Sequence, residues 1–314
     1  MKNAFLVLML LAAPLAAQVA MTKEEGKIAV TIDGKPFTTF YYSGEDVPKP
    51  FLHPLLTASG KRITRMYPME SVDGETKDHP HHRGLWFTHG EINEWDFWAN
   101  EKQMAAKRKH QGTIELVKLD KAQGGKKQGE IVSVHRWKAP DGTPLIEEHR
   151  KMTFHAGTQH RVVDFDVTFK ALSPIKFRDT KEGTFAIRLR DELMERKGGT
   201  LVNAEGGKGM REVWGKPSPW NDYYGPLEGE TVGVAILDHP GNYRHPTHWH
   251  SRDYGLFAAN PFGEHDYYRD KTRDAGLSLD TGKSARWRYR VVIHSGTTEE
   301  AGIAKMFADY SKTK

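Results

Sequence analysis

Seven of the sixteen histidines fall in two short stretches more than 150 residues apart. One is Asp78-His79-Pro80-His81-His82-Arg83-Gly84; the other runs from Asp238-His239-Pro240 to His245-Pro246-Thr247-His248-Trp249-His250. Imidazoles grouped in this way serve proton transfer near neutral pH, metal ligation or hydrogen bonding to a polyhydroxylated ligand, and the residue types leave all three open. In an extended first stretch, His79 and His81 would face one side and His82 the other, so the three need not share a task. Arg83 and one or two of these rings are expected to reach a ligand at the mouth of a strand through Leu85-Trp86-Phe87-Thr88-His89; histidines bonded to loop carbonyls are the plainer alternative. In the second stretch, His245-x-x-His248 and His248-x-His250 can each bring two ring nitrogens to one ion. No HExxH helix or facial-triad spacing supports a metal site, so a metal-free ligand site is preferred, with a divalent metal at the cluster left open.

Glu182, in Arg178-Asp179-Thr180-Lys181-Glu182-Gly183, is either part of a solvated turn or the carboxylate that completes a proton-transfer pair with a histidine. Arg252 and Asp253 either pair with each other or grip a ligand group and orient a histidine. Trp86, Trp95, Trp98, Trp214, Trp220, Tyr223, Tyr224 and Trp249 lie near these segments in sequence; their flat rings stack on sugar faces but also fill sandwich cores.

The elements that must position these residues read mostly as strands. Lys27–Ile32 and Phe37–Tyr42 flank Asp33-Gly34, a hairpin signal because both residues accept positive φ. Four strands are expected at Thr113–Leu119, Glu130–Trp137, Leu145–Phe154 and His160–Phe169, separated by turn residues that include Ala156-Gly157-Thr158. In Arg161–Phe169, the apolar residues at 163, 165, 167 and 169 share one face, and Asp164, Asp166 and Thr168 share the other. Strands are also expected at Thr184–Arg190, Val232–Leu237 and Ala285–His294. One helix is expected, Thr298–Tyr310, and Gly198–Tyr224 reads as a long functional loop. The pattern predicts an all-β chain: a large antiparallel β-sandwich with a C-terminal helix.

Residues 1–17 read as a cleaved export signal, with Lys2, an apolar run Ala4–Leu15 and small residues before Gln18, which leaves 18–314 as one β-sandwich domain in the periplasm or secreted. There are no cysteines, which excludes disulfides, thiolate nucleophiles and lipoprotein acylation. The net charge of +5 is modest and interspersed. Its basic runs, Lys107-Arg108-Lys109-His110 and Lys126-Lys127, lack interleaved aromatics, so no nucleic-acid partner is expected. Nor is integral membrane association expected after signal cleavage, because no later segment is long and apolar enough to span a bilayer.

The runs Asp78–Trp86, Lys181–Arg188, Asp238-His239-Pro240 and His245–Gly255 with Asn260-Pro261-Phe262-Gly263 resemble the bacterial methane oxygenase PmoA-like family, in order and over most of the chain. The resemblance implies an exported protein of polysaccharide-degrading bacteria. The closing strands, through Gly282–Arg290, are similar in architecture to the galactose mutarotase-type supersandwich, which implies sugar binding on a concave face. The expectation from all of this is a carbohydrate-active protein whose two histidine segments meet on one face around a sugar or sugar acid. His81 or His82 would be acid or base and Glu182 the complementary group. His79, Arg83, His239, His248, His250, Arg252 and Asp253 would bind substrate. A noncatalytic sugar-binding protein is the runner-up, and a metal-dependent oxygenase, as the family's name suggests, is the third reading.

Overall fold

The computed structural model describes residues 18–106, 110–157 and 159–314. The export signal, Lys107-Arg108-Lys109 of the first basic run and Thr158 lie outside them. Two eight-stranded antiparallel sheets dominate the fold, with a small two-stranded one pairing Ile175–Phe177 with Leu277–Leu279. The first orders its strands Val19–Glu24, Lys27–Ile32, Lys35–Tyr41, Phe51–Leu52, Leu85–His89, Gly183–Arg188, Leu256–Asn260 and His248–Trp249. The second runs Thr200–Asn203, Trp220–Leu227, Glu230–Asp238, Ser284–Ser295, Arg161–Ala171, Pro144–His155, Gln128–Lys138 and Thr113–Gln123.

Period-two patterning decides what each sheet buries. From the second sheet, Val163, Phe165, Val167 and Phe169 meet Trp287, Tyr289 and Val291 in one continuous core, joined from the first sheet by Leu85, Phe87, Phe185, Ile187, Phe257 and Trp249. Burying each of these side chains is worth about 1.5–3 kcal/mol. The expected hairpin turn is present, with Asp33 at φ 54° and Gly34 at φ 74°.

Two expectations are corrected. The C-terminal helix is two, Thr298–Ala301 and Ile303–Tyr310. Gly302 between them takes φ 69°, a left-handed conformation that ends the first, while Thr297 and Glu300 form a capping box at its start. The segment 198–224 is only partly loop: Thr200–Asn203 pairs with Trp220–Leu227 along the edge of the second sheet. Most of its glycines and both prolines occupy the connection between those strands and hide their alternation. No helix among the described residues is long and apolar enough to cross a membrane.

Candidate functional site

The outward face of the first sheet collects the chemistry. Alternation sends Trp86, Thr88, Thr184, Ala186, Arg188, Leu256, Ala258, Asn260 and His248 away from the shared core. One rung crosses the sheet as Tyr41, Phe51, Trp86, Ala186 and Ala258, each opposite the next. It ends at His250, whose amide donates to the Ala258 carbonyl at 2.9 Å. The alanines keep the middle of the face low, and Trp98 and Ala99 fold over the Trp86 end.

The first histidine segment is a turn rather than a strand. His79 takes φ 43° and the His82 amide donates to the His79 carbonyl at 3.0 Å. All three rings therefore meet, against the extended expectation: His82 stacks on His79 with centroids 4.8 Å apart and contacts His81 at 4.4 Å. His82 is buried against Trp86, and its Nδ1 accepts from Arg188 Nη1 at 3.1 Å. A guanidinium cannot accept, so the ring proton sits on Nε2. Burial, helped by His81 and Arg188, pushes His82 well below the usual histidine range. His81 Nδ1 lies 3.2 Å from Met104 Sδ.

Asp78 holds the turn in place. One oxygen accepts from the buried guanidinium of Arg65 and, at 2.8 Å, from that of Arg188. Burial raises the Asp78 carboxyl, but His79, Arg188 and Arg65 outweigh it and hold it well below the usual carboxylate range. Gly84 closes the segment at φ 53°, where a Cβ would stand 2.2 Å from the Leu52 carbonyl oxygen. Gly84→Ala combines left-handed strain with that clash and is expected to cost about 2–4 kcal/mol, read as a lowered urea midpoint at unchanged m-value.

The second segment divides. His248 and His250 lie on the same outward face, whereas His239 and His245 do not. His239 bonds the Thr313 carbonyl at 3.0 Å and accepts from the Gly241 amide at 3.0 Å, under Tyr310 of the C-terminal helix. The expected substrate-binding place for His239 is therefore corrected: it anchors the chain terminus on the other sheet. His245 pairs with buried Asp238 at 2.7 Å. His250 Nδ1 donates to the Lys181 carbonyl at 2.6 Å, which leaves Nε2 as the lone-pair nitrogen. Burial lowers its pKa to about 4, against the opposing charge of Glu182. His248 stacks on Tyr267, with Nε2 3.2 Å from the Tyr268 hydroxyl.

Tyr254 joins the two halves. Its ring stacks on His79 at 5.2 Å, with Arg188 4.9 Å and Arg252 5.7 Å from its centroid. Arg252 also lies 5.9 Å from the Trp214 ring, which meets His250 edge-on at 6.5 Å. Glu182, 2.9 Å from Lys181 Nζ, is close enough for its charge to bear on His250, Tyr254 and Tyr267. Through Tyr254, Arg252 and Trp214, the first segment and the His248–His250 end of the second share one face.

Two further assignments change. Arg83 forms a bidentate pair with Glu101, at 2.9 and 2.7 Å, in place of the expected approach to a ligand beside the histidines. Asp253 pairs with Arg196 rather than with Arg252, at 2.7 and 3.0 Å. Of the aromatics, Trp86, Trp98 and Trp214 belong to the site, while Trp249 and Tyr223 fill the shared core and Trp220 lies on the far side of the second sheet. Among the described residues no three His, Asp or Glu side chains are grouped as ligands for a metal ion. The guanidiniums of Arg65 and Arg188 beside the histidine turn also oppose a cation there.

The residues that sequence reasoning left without a role are Asp78, Arg65, Arg188 and Tyr254. A signal existed for Arg188, a charge inside the apolar run Gly183–Leu189. Arg65 carried none.

One sequence family, described as a family of unknown function and called DUF6807, matches residues 27–308. The chain belongs to that family. Nothing found supports the PmoA-like label that the motifs resembled. No curated protein matches the sequence. Among solved structures, the chain is similar to the GH36 alpha-galactosidase AgaB from Geobacillus stearothermophilus at 9% identity and TM-score 0.44, over 88% of this chain and 41% of that one. It spans less than half of that enzyme's length. It is also similar to a galactose mutarotase-like protein from Lactobacillus casei (9% identity, TM-score 0.34, 88% of this chain and 100% of that one). A third is the galactose 1-epimerase from Lactobacillus acidophilus (9% identity, TM-score 0.35, 89% and 98%).

Proposed function

We propose that this protein is an exported carbohydrate-active enzyme that binds a sugar on the outward face of the first sheet and moves a proton there with His250 and Glu182. The observation that carries the reading is the convergence around Tyr254. Two segments far apart in sequence bring indoles, guanidiniums and imidazoles to one face. Ring hydroxyls need many donors and acceptors, and the C–H faces of a sugar favour flat aromatic surface. Trp86 Nε1, Trp98 Nε1 and Trp214 Nε1 are buried donors without a partner. Leaving such groups unpaired costs free energy that a ligand's oxygens recover.

His250 suits the base role better than His82. Its Nδ1–H is fixed by the Lys181 carbonyl, so a neutral ring presents Nε2 as acceptor, with Glu182 as the complementary group. His82 instead steadies Arg188 through its own lone pair.

The test is proton NMR of neutral sugars, uronic acids and oxidised sugars incubated with the protein in deuterated water, which reads epimerisation, elimination, hydrolysis and proton exchange together. His250→Asn and Glu182→Gln are expected to lower turnover about 10²–10⁴-fold while binding is largely kept. Binding without turnover of any sugar would identify a noncatalytic sugar-binding protein instead.

A further inference from the structure

The geometry points to a carboxylate-bearing sugar as the ligand class, its carboxylate held over Tyr254 by Arg252 and Arg188. This inference rests on the sugar-site reading and deepens it.

Around Tyr254 the guanidiniums are unequally paired. Three guanidiniums, from Arg65, Arg188 and Arg252, approach this part of the face. Asp78 serves the first two through one oxygen, and Glu75 and Asp191 also bear on Arg65, but none of these three pairs with Arg252 among the described residues. Glu182 is engaged with Lys181, and Asp253 with Arg196. Arg252 thus has aromatic neighbours on Trp214 and Tyr254 but no carboxylate partner among the described residues. The nearby imidazoles do not supply negative charge, and His82 and His250 stay neutral.

Hydrogen bonding tells the same story independently. Arg252 Nε and Arg188 Nε are both buried donors without an acceptor, and Arg188 is fully buried. A guanidinium withdrawn from water is costly unless an anion meets it. Arg188, whose Nη1 and Nη2 already donate to His82 and Asp78, contributes Nε, and Arg252 contributes its guanidinium, so the two oxygens of a planar anion can accept from both beside one aromatic ring. Neutral hydroxyls would satisfy the donors and leave the charge uncompensated. A sugar with a carboxylate satisfies both, placing its ring toward His250 and Glu182. Arg65 and His82 are positioning residues here: Arg65 shares Asp78 with Arg188, and His82 accepts from it.

The experiment is calorimetric titration of the intact protein with glucuronate, galacturonate, glucose, galactose and glucose 6-sulfate, at low and high salt, repeated with Arg252→Gln. Arg252 is only partly buried, so this variant is expected to fold, and its thermal midpoint is recorded alongside. The expected result is a uronate bound at least about tenfold more tightly than its neutral counterpart. That preference should shrink with salt, and Arg252→Gln should weaken uronate binding at least about tenfold more than it weakens neutral-sugar binding, which removes the preference. Equal affinity for uronate and neutral sugar overturns the carboxylate assignment and leaves the sugar site standing. So does a uronate preference that survives Arg252→Gln in folded protein, and so does tighter binding of the sulfate ester. Binding of none of the five overturns the sugar site itself, and the inference with it.

Discussion

Glu101→Gln is expected to destabilise the protein by about 3–5 kcal/mol, the usual cost of stranding buried charge. The Glu101 carboxylate accepts twice from Arg83 and lies 3.4 Å from Lys49 Nζ, and all three side chains are buried. Lys49 is further held by the Trp98 carbonyl at 2.7 Å and by Asn100 at 3.1 Å. Burial lowers the Lys49 pKa to about 8 even with Glu101 opposing that shift, so this ammonium depends on its carboxylate. The triad lies where the loop carrying Trp98 meets the strand beginning at Leu85, beside a cleft of about 750 Å³ walled by stacked Tyr41 and Phe51. Breaking it loosens the chain just before Gly84 and so disturbs the histidine turn. Urea denaturation of Glu101→Gln measures the loss. The triple replacement Lys49→Met, Arg83→Met, Glu101→Leu should recover most of it, because removing all the charges strands none. A Glu101→Gln midpoint matching the wild type would show that the triad contributes nothing to stability.

This triad also shows where sequence reading reaches its limit. Arg83 stands beside three histidines, and its spacing there says ligand; its partner Glu101 lies beyond an irregular loop with no periodic signal. The strands were legible because a half-buried sheet writes its geometry into every second residue, as in Arg161–Ala171. The site was legible as composition, since clustered histidines are uncommon, but not as arrangement. His79, His81 and His82 share one patch because a left-handed residue folds the chain back, which no alternation rule anticipates. His239 and His248 part company because the chain crosses from one sheet to the other between them. Tyr254 and Arg188 matter through contacts made across strands, and such contacts depend on register, which short apolar strands leave undetermined.

Stability is expected to fall steeply as the pH drops from about 6.5 toward 4, because this fold buries neutral histidines. Burial lowers the pKa of His53 to about 3, and of His89 and His250 to about 4. His82 and His135 are pushed down for the same reason. In the unfolded chain each titrates near 6.5. Within that window the unfolded state takes up protons that the folded state refuses, so each such group removes up to about 1.4 kcal/mol of stability per pH unit. Their contribution is fully present above pH 6.5 and is lost as the pH falls toward the folded values. His294, raised by Asp222 despite its burial, acts in the opposite sense, but it is one group against five. Denaturation curves at pH 7, 6 and 5 should therefore show a loss of several kcal/mol. His53 isolates the cause: both of its ring nitrogens are buried without a partner. His53→Leu should flatten the pH dependence by one proton and match or exceed the wild type at pH 5. Stability unchanged between pH 7 and 5, or an unaltered slope in His53→Leu, would mean that these rings take up protons in the folded state and that the site itself is cationic under mild acid.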